Sequence, residues 1–291
     1  MFRVAYVNGR YLPHDHAAVH VEDRGYQFAD AVYEVCEIYD GRLLDERRHM
    51  QRLERSLAEL RIPMPLAVPA LGVIMREVAR RNRVTEGLVY IQVSRGVAPR
   101  DHPFPTMAVR PALVVTARSI GFDARDTRAR KGVAVVTAPD IRWGRVDIKT
   151  VGLLPNVLAK QGAREQGAYE AWLVDRDGNV TEGASTNAWI VNAKGVLVTR
   201  HADAAILRGV TRMVLLDVAT RRKVSFEERP FSVSEALSAR EAFLTSATNG
   251  VMPIVKIDGK KVGAGKPGPV ATALRAGLIA AQSEEAGAAK V

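Results

Sequence analysis

The chain has 291 residues, of which 47% are hydrophobic and 25% are charged, and a formal net charge of +10. This composition is typical of a folded globular protein and excludes a disordered or fibrous chain. The positive charge suits small anionic ligands. Arginines alternate with acidic residues, however, which is typical of solvated helix faces and disfavours nucleic-acid binding. The sequence has no apolar run of about 18 residues and no signal-peptide pattern, so we expect no membrane span and a cytoplasmic location.

The N-terminal part of the chain predicts short strands with tight turns, followed by helices. An Asn-Gly pair at 8–9 and an Asp-Gly pair at 40–41 lie between β-rich flanks, and each predicts a hairpin. Apolar residues at helical spacing predict one helix over about 46–60 and another over about 71–82. Two apolar strands should follow, separated by a proline-rich loop over 97–105.

A polar stretch without clear periodicity divides the chain in two. Within it we predict an interdomain linker over 121–131, an N-terminal domain over 1–120 and a C-terminal domain over 132–291. Together with the mixture of predicted strands and helices, this division favours an α+β protein of two lobes with antiparallel sheets.

The C-terminal domain predicts alternating strands and helices. A strand is expected over 133–137 and a helix over about 156–166, with hairpins around "DRDGN", "NAKG" and the Asp-Gly pair at 258–259. The segments "TRMVLLDVATRR" and "PVATALRAGLIAAQ" predict helices that cover the sheet, and the ending "SEEAGAAKV" predicts a frayed terminus.

The single cysteine, Cys36, lies in the strand pattern "YEVCEIY", and we interpret it as a buried, unreactive thiol. One cysteine cannot form a disulfide within the chain. With no second cysteine it also provides no pair of metal ligands, and we expect no metal site.

Lys149 is the first candidate for chemistry, because no lysine precedes Lys131 and this one lies in the apolar context "VDIKTVGLLP". A partly desolvated lysine at a strand-to-helix connection can act as a Schiff-base nucleophile and a proton carrier. A lysine whose stem packs at a strand end while its amine reaches water fits the same local context.

Glu182 is the second candidate, since it lies between a short strand and the small residues of "GAST". Such a carboxylate could keep the pyridine nitrogen of a cofactor protonated, or it could be a turn acid that accepts hydrogen bonds from backbone N–H groups. Phosphate ligands are suggested by the helix start at Val210 and Thr211, the loop "LTSATNG" and the helical Arg52. A helix N-cap explains Thr211 equally well.

These residues occur in segments that together resemble one enzyme family. The segments are "EDRGYQFADAVYEV", "SRGVAPRDH", "DIRWGRVDIKTVGLLPNVLAKQ", "VTEGASTN", "LRGVTR" and "LTSATN". Nearly the whole chain resembles the fold-type IV pyridoxal-phosphate enzymes, the class IV aminotransferases, and among these most of all the D-amino-acid aminotransferases. The resemblance implies a smaller N-terminal α/β lobe and a larger, cofactor-binding C-terminal lobe with helices and a mostly antiparallel sheet or pseudo-barrel.

The resemblance also implies a role for each candidate residue. Lys149 would form a Schiff base with pyridoxal 5′-phosphate, and Glu182 would pair with the ring nitrogen. The remaining cofactor contacts would be Leu207 on the ring, with Arg52, Val210, Thr211, Ser246 and Ala247 at the phosphate. The substrate would meet Tyr33 near the reacting carbon, with Arg100 and His102 on its α-carboxylate.

A ping-pong transamination of D-amino acids with a 2-oxo acid is therefore expected. Because the loop with Arg100 and His102 reaches across a dimer interface in this family, a homodimer is implied. Alternatives of the same fold are a branched-chain L-amino-acid aminotransferase, an (R)-amine transaminase and an aminodeoxychorismate lyase; outside the fold, a noncatalytic basic binding protein remains. Departures from the family pattern are Ala29, Ala31, Ala184 and Ala247.

Overall fold

The chain forms two compact units in the computed structural model, which describes residues 3–288. Of the described residues, the first unit contains 3–121, Ile148–Gly152 and 285–288, and the second contains Phe122–Asp147 and Leu153–Glu284. The short segment with Lys149, which the predicted boundaries assign to the C-terminal domain, therefore belongs to the first unit.

The first unit is an antiparallel sheet with helices. Its helices are α1 (Arg24–Phe28), α2 (Glu46–Glu59) and α3 (Val68–Arg81). Its strands are β1 (Val4–Val7), β2 (Arg10–Pro13), β3 (Ala31–Tyr39), β4 (Arg42–Leu43), β5 (Gly87–Ser94) and β6 (Ala112–Ser119). They pair in the order β2-β1-β6-β5-β3-β4. Both predicted hairpins and both predicted helices are confirmed.

One face of this sheet and one face of α2 share a core. In β3, alternate residues such as Val32 and Cys36 are buried in the same apolar cluster as Leu53 and Leu57 of α2. This follows from the period of two along a strand and of about 3.6 along a helix. Cys36 is fully buried, as predicted, and burial raises the pKa of its thiol well above the ordinary value.

The second unit surrounds a mixed sheet. Its helices are α4 (Phe122–Lys131), α5 (Leu154–Glu165), α6 (Val210–Arg221), α7 (Val233–Leu237) and α8 (Pro269–Ala288). Its strands are β7 (Val133–Pro139), β8 (Glu170–Val174), β9 (Val180–Gly183), β10 (Asn187–Val191), β11 (Leu197–Thr199), β12 (Phe226–Glu228), β13 (Glu241–Ser246), β14 (Gly250–Ile257) and β15 (Lys260–Lys261).

The strand order in this sheet is β12-β11-β10-β13-β14-β7-β8-β9, and β15 pairs with β14. The pairs β11–β12, β14–β7 and β7–β8 are parallel, and the other neighbours are antiparallel. The sheet is thus mostly but not wholly antiparallel, and the predicted α+β class is confirmed.

The stretch predicted as a linker over 121–131 is helix α4 instead. Only Phe122 and Ala129 are buried on it, which leaves too few apolar positions for a recognisable helical period. Asp123 in the first turn and Arg130 and Lys131 in the last turn complement the helix dipole.

Helix α8 continues through most of the segment predicted to fray, and 289–291 lie outside the described residues. Within residues 3–288, no helix combines the length and the apolar character needed to cross a membrane.

Candidate active site

Lys149 is held in the first unit by backbone pairing with β3. The Tyr33 amide donates a hydrogen bond to the Lys149 carbonyl over 3.0 Å, and the Val151 amide donates to the Ala31 carbonyl over 3.1 Å. The Lys149 amide donates to Ser56 Oγ over 3.3 Å. The regular strand before it, β7, already ends at Pro139. Lys149 is therefore fixed by this short added pairing, rather than by the end of a strand as the sequence suggested.

The Lys149 side chain lies against Tyr33. Its Nζ is 4.0 Å from the centre of the Tyr33 ring, and the residue is half-buried. Tyr33 in turn stacks on Tyr90, with 5.6 Å between the ring centres. The structure thus brings together the predicted nucleophile and the predicted substrate contact, and a second tyrosine supports them.

A buried ion pair lies on the opposite face of β3. Arg52 Nε and Nη2 donate to the two Glu34 carboxylate oxygens over 2.7 and 2.8 Å, and His49 Nδ1 lies 2.8 Å from Glu34 Oε2. Burial alone would raise the pKa of Glu34, but the Arg52 charge outweighs it and holds that pKa well below its usual range. Burial lowers the pKa of His49, which favours its neutral form. Arg52 is thus a fixed cation.

Glu34 and His49 were not predicted as site residues, although the sequence holds a signal for them. Alternation along β3 places Glu34 on the same buried face as Val32 and Cys36. A carboxylate at a core position needs a cation, and Arg52 follows His49 by three positions on one face of α2.

Glu182 forms the centre of a polar cluster in the second unit. It is 5% exposed and lies near the end of β9. Its carboxylate accepts hydrogen bonds from Arg142 Nη1, from Asn187 Nδ2 over 2.9 Å and from the Leu207 amide over 3.1 Å. Asn187 Nδ2 also donates to the Leu207 carbonyl over 2.9 Å. The predicted ring contact, Leu207, is therefore fixed beside the predicted partner of the ring nitrogen.

Arg142 gives the Glu182 carboxylate a buried cation. It also donates to both carboxylate oxygens of Asp140, over 2.9 and 2.7 Å. Burial acts to lower the pKa of Arg142, but the two acids outweigh it and raise that pKa. Arg142 and Asp140 were not predicted, because the loop "DIRWG" looks like any polar loop and lies far from Glu182 along the chain. Asn187, five positions after Glu182, was not predicted either.

Helix α6 offers an N-terminus suited to an anion. The helix begins at Val210 with Gly209 as its N-cap, and among the described residues no side chain caps this end. Thr211 therefore lies inside the first turn and is not the cap. The first amides of a helix have no partner within it and point along its axis. Gly209 is required here, because a Cβ atom on it would lie 2.0 Å from Asn187 Oδ1.

The loop after β13 is held by its own side chains. Asn249 Nδ2 donates to Ser246 Oγ over 2.9 Å, Ser246 Oγ lies 3.1 Å from Thr248 Oγ1, and the Tyr169 hydroxyl donates to Asn249 Oδ1. Ser246 and Ala247 thus lie on an ordered turn. Asn249 and Tyr169 were not predicted as its supports.

A buried hydroxyl in the second unit lacks a partner within the described protein atoms. Thr186 is 5% exposed, and its Oγ1 forms no hydrogen bond there. It lies so close to Gly183 that a Cβ atom on this glycine would be 2.1 Å away. This hydroxyl, four positions after Glu182 in sequence, is a group to which a polar ligand could supply the missing partner.

Arg100 and His102 lie on the exposed loop between β5 and β6 in the first unit. The Arg100 guanidinium carbon is 4.7 Å from the centre of the Phe28 ring, and the His102 ring centre is 5.5 Å from it. The structure thus groups these two predicted substrate contacts around one aromatic ring.

Comparison with known proteins decides the family. A profile of the family described as amino-transferase class IV matches residues 31–257. The chain belongs to the class IV aminotransferases. The predicted resemblance is therefore confirmed, and transamination is the general activity of this enzyme.

Curated relatives of this aminotransferase are similar over almost their whole length. D-alanine aminotransferase of Staphylococcus haemolyticus is 39% identical over 273 residues, 94% of this chain and 95% of the relative. D-alanine aminotransferase of Bacillus licheniformis is 40% identical over 276 residues, 94% of this chain and 96% of the relative.

Solved structures share the fold. The branched-chain amino acid aminotransferase of Escherichia coli has a TM-score of 0.88 and 24% identity, with 97% of this chain and 95% of that one covered. The T.th. branched-chain amino acid aminotransferase with pyridoxamine 5′-phosphate has a TM-score of 0.87 and 26% identity, with 97% and 94% covered.

Proposed function

We propose that this class IV aminotransferase transfers the amino group of D-amino acids to a 2-oxo acid. Candidate donors are D-alanine, D-glutamate and D-aspartate, and candidate acceptors are 2-oxoglutarate and pyruvate. The observation that carries transamination is the fixed position of Lys149 against Tyr33. The D-configuration is supported by 39 and 40% identity to D-alanine aminotransferases and by the Arg100–His102 pair.

Pyridoxal 5′-phosphate is the cofactor, as predicted, in agreement with the family and with the solved relative that holds its pyridoxamine form. When bound, this cofactor draws electrons away from the α-carbon of the amino acid. The chain fits it, since it provides an amine for the aldehyde, a charged carboxylate for the ring nitrogen, an uncapped helix start and an unsatisfied buried hydroxyl.

Lys149 has two tasks in this proposal. Its Nζ would hold the cofactor through the aldehyde group, and it would carry the α-proton of the amino acid as a general base. Both tasks need an amine held in one place. The pairing of residues 149–151 with β3 meets that need, because the backbone on either side of the lysine is hydrogen-bonded.

Glu182 would hold the proton on the ring nitrogen. A carboxylate does this only while it is charged, and Arg142 stabilises that charge inside the protein. Asn187 and the Leu207 amide fix the orientation of the carboxylate. Leu207 would pack on the ring.

The phosphate would be bound by cationic and amide donors. Arg52, held by Glu34, supplies a permanent charge, and the amides of Val210 and Thr211 supply a helix N-terminus. Ser246 and Ala247 would add a hydroxyl and a backbone amide from their ordered turn.

The substrate carboxylate would bind Tyr33, Arg100 and His102. A guanidinium matches a carboxylate with two parallel hydrogen bonds, and an imidazole can add a third. We include a homodimer in the proposal, in which this loop serves the second copy. Its support, besides the family, is the large exposure of Tyr26 (76%) and Met107 (82%), which a partner would cover. A cytoplasmic location remains a prediction.

A branched-chain L-amino-acid aminotransferase is the second candidate, because a solved structure with the same fold and 26% identity carries that name. The (R)-amine transaminase remains an alternative within the fold, whereas membership in an aminotransferase family disfavours the lyase. Membership in an enzyme family disfavours a noncatalytic binding protein.

Product analysis tests the proposal. The purified enzyme with pyridoxal phosphate is given 2-oxoglutarate and, in separate reactions, D-alanine, L-leucine or an (R)-amine, and the glutamate formed is resolved into its enantiomers. We expect D-glutamate from D-alanine and little product from the other donors. Formation of L-glutamate from L-leucine at the higher rate would replace the proposal with the second candidate.

A further inference from the structure

The loop with Arg100 and His102 is tied to the rest of the first unit by one buried arginine. Arg24 is 3% exposed and begins helix α1. Its Nη1 donates to the Asp101 carbonyl over 2.6 Å, and its Nη2 donates to the His102 carbonyl over 3.3 Å. The two contacts thus fix the backbone at the residues that directly follow Arg100.

Asp30 holds Arg24 from the other side. Its Oδ2 accepts hydrogen bonds from Arg24 Nε over 2.9 Å and from Arg95 Nε over 2.6 Å, and its Oδ1 accepts from Arg95 Nη2 over 2.9 Å. Burial alone would raise the pKa of Asp30, but Arg95 and Arg24 outweigh it and hold that pKa below its ordinary value. Asp30 is therefore an anion that fixes two arginines at once.

Arg95 connects this network to helix α2. Its Nη2 donates to the Leu60 carbonyl over 2.7 Å, and its Nη1 donates to the Arg61 carbonyl over 3.1 Å. The loop with Arg100 and His102 is thus connected, through Arg24, Asp30 and Arg95, to the C-terminal end of α2. Because α2 packs its apolar face in the core, this end is a fixed point for the loop backbone.

Phe28 orients the Arg100 side chain itself. The guanidinium carbons of Arg24 and Arg100 each lie 4.7 Å from the centre of its ring, and the His102 ring centre lies 5.5 Å away. A guanidinium over an aromatic face is attracted to it and loses rotational freedom. The ring therefore limits the directions in which the Arg100 fork can point.

The charged network does more than hold the loop with Arg100 and His102 in place. Burying an aspartate with two arginines carries a desolvation penalty that apolar packing of the same loop would avoid. The hydrogen bonds that result end on the backbone at Asp101 and His102, where a rigid arrangement matters for binding a planar carboxylate.

We propose that Arg24, held by Asp30, is a positioning residue that aligns Arg100 and His102 for the carboxylate of the substrate. The inference rests on the proposed function, which assigns those two residues to the carboxylate. Arg24 acts through them and touches no reacting atom. Its loss should therefore weaken binding of carboxylate substrates more than it slows the chemical step.

A double-mutant cycle tests this. Arg24→Met, Arg100→Met and the double variant are compared with the unaltered enzyme in KM for D-alanine and in kcat, at equal content of bound cofactor. We expect Arg24→Met to raise KM by about ten- to a hundredfold, since small misplacements of binding groups have effects of this size, with a smaller change in kcat. The double variant should resemble Arg100→Met, because Arg24 has nothing to align once Arg100 is gone.

Two further variants separate positioning from folding. Phe28→Leu leaves the hydrogen bonds of Arg24 to the Asp101 and His102 carbonyls in place but removes the ring over which Arg100 and Arg24 lie, and it should raise KM in the same way. Arg24→Lys should recover part of the loss. Arg80→Met, which removes an arginine that is 72% exposed on α3, is the control and should leave kinetics unchanged.

The outcomes distinguish the two levels of the proposal. If Arg100→Met raises KM and Arg24→Met does not, or if the two effects are additive, the positioning role is wrong while the carboxylate site stands. If Arg100→Met itself leaves KM unchanged, the proposed carboxylate site is wrong. If soluble, cofactor-bound Phe28→Leu has the KM of the unaltered enzyme, the role of the ring is excluded.

Discussion

Arg142 donates a hydrogen bond to the carboxylate of Glu182, and both side chains are almost completely buried. Replacing Arg142 with methionine would leave Glu182 with Asn187 and an amide but without a cation. Breaking a buried ion pair costs about 3–5 kcal/mol, so we expect weaker binding of pyridoxal phosphate and a large fall in kcat. Absorbance titration with the cofactor and steady-state rates measure both effects.

The matched control for this change is Arg145→Met in the same loop, where the guanidinium is 46% exposed and faces Asp147. It should bind the cofactor as the unaltered enzyme does, because exposed ion pairs contribute little. Equal cofactor affinity in Arg142→Met and Arg145→Met would contradict the role of Arg142.

Glu34 should give stability a specific dependence on pH. Its pKa in the folded state is held well below that of a free glutamate, so its contribution is complete above about pH 4.3 and is lost progressively as pH falls further, because the unfolded state takes up a proton there that the folded state does not. We expect Glu34→Gln to lower the free energy of unfolding by about 3–5 kcal/mol at pH 7. In urea denaturation, the difference between the two proteins should shrink below pH 4.3. A difference that stays constant down to pH 3 would show that this carboxylate does not titrate as described.

Ala29 adopts a left-handed conformation, with φ of 56°, at the end of α1. A side chain in this region costs about 1–2 kcal/mol, so Ala29→Gly should increase the free energy of unfolding by about 1 kcal/mol. Ala31 is the matched control, because it is fully buried in a regular strand, and Ala31→Gly should be destabilising by about 1 kcal/mol. Equal responses of the two positions in urea denaturation would contradict this account of the two departures from the family pattern.

Gly209 should not tolerate a side chain. A Cβ atom there would collide with Asn187 Oδ1 and disturb the start of α6. It would also displace the Asn187 amide group that donates a hydrogen bond to Glu182. We expect Gly209→Ala to reduce cofactor affinity by about tenfold or more, because Glu182 would lose a hydrogen bond that orients its carboxylate toward the cofactor. Gly162→Ala on α5 is the control, since a Cβ atom there meets nothing within 4 Å, and it should retain activity. Full cofactor affinity in Gly209→Ala would rule out the tight contact.

Local patterns predicted much of the fold, and the failures have physical reasons. The hairpin after Asp40 and helix α2 follow from a turn dipeptide and an apolar period, which are read within a few residues. Helix α4 was missed because only Phe122 and Ala129 give it a buried face. The parallel pairing of β7 with β14 was missed because it joins strands more than a hundred positions apart.

The site was predictable to a different degree at each residue. Lys149 is conspicuous because a charged amine is unusual in an apolar segment, and the family resemblance assigns it a function as the residue that binds the cofactor. Glu34 could have been found, since strand alternation places its charge in the core. Arg142 could not have been found, because its role depends on a contact with Glu182. The two residues are 40 positions apart in the sequence and meet only in the tertiary fold.

The most direct test of the central claim is the absorption spectrum of the enzyme with pyridoxal phosphate during addition of D-alanine or, separately, L-alanine. These donors differ only in configuration, so solvent and charge have the same effect on the absorption spectrum in both titrations. We predict that D-alanine alone bleaches the cofactor band, that 2-oxoglutarate restores it, and that Lys149→Ala shows neither change. Equal bleaching by L-alanine, or turnover of Lys149→Ala at the normal rate, would contradict the account.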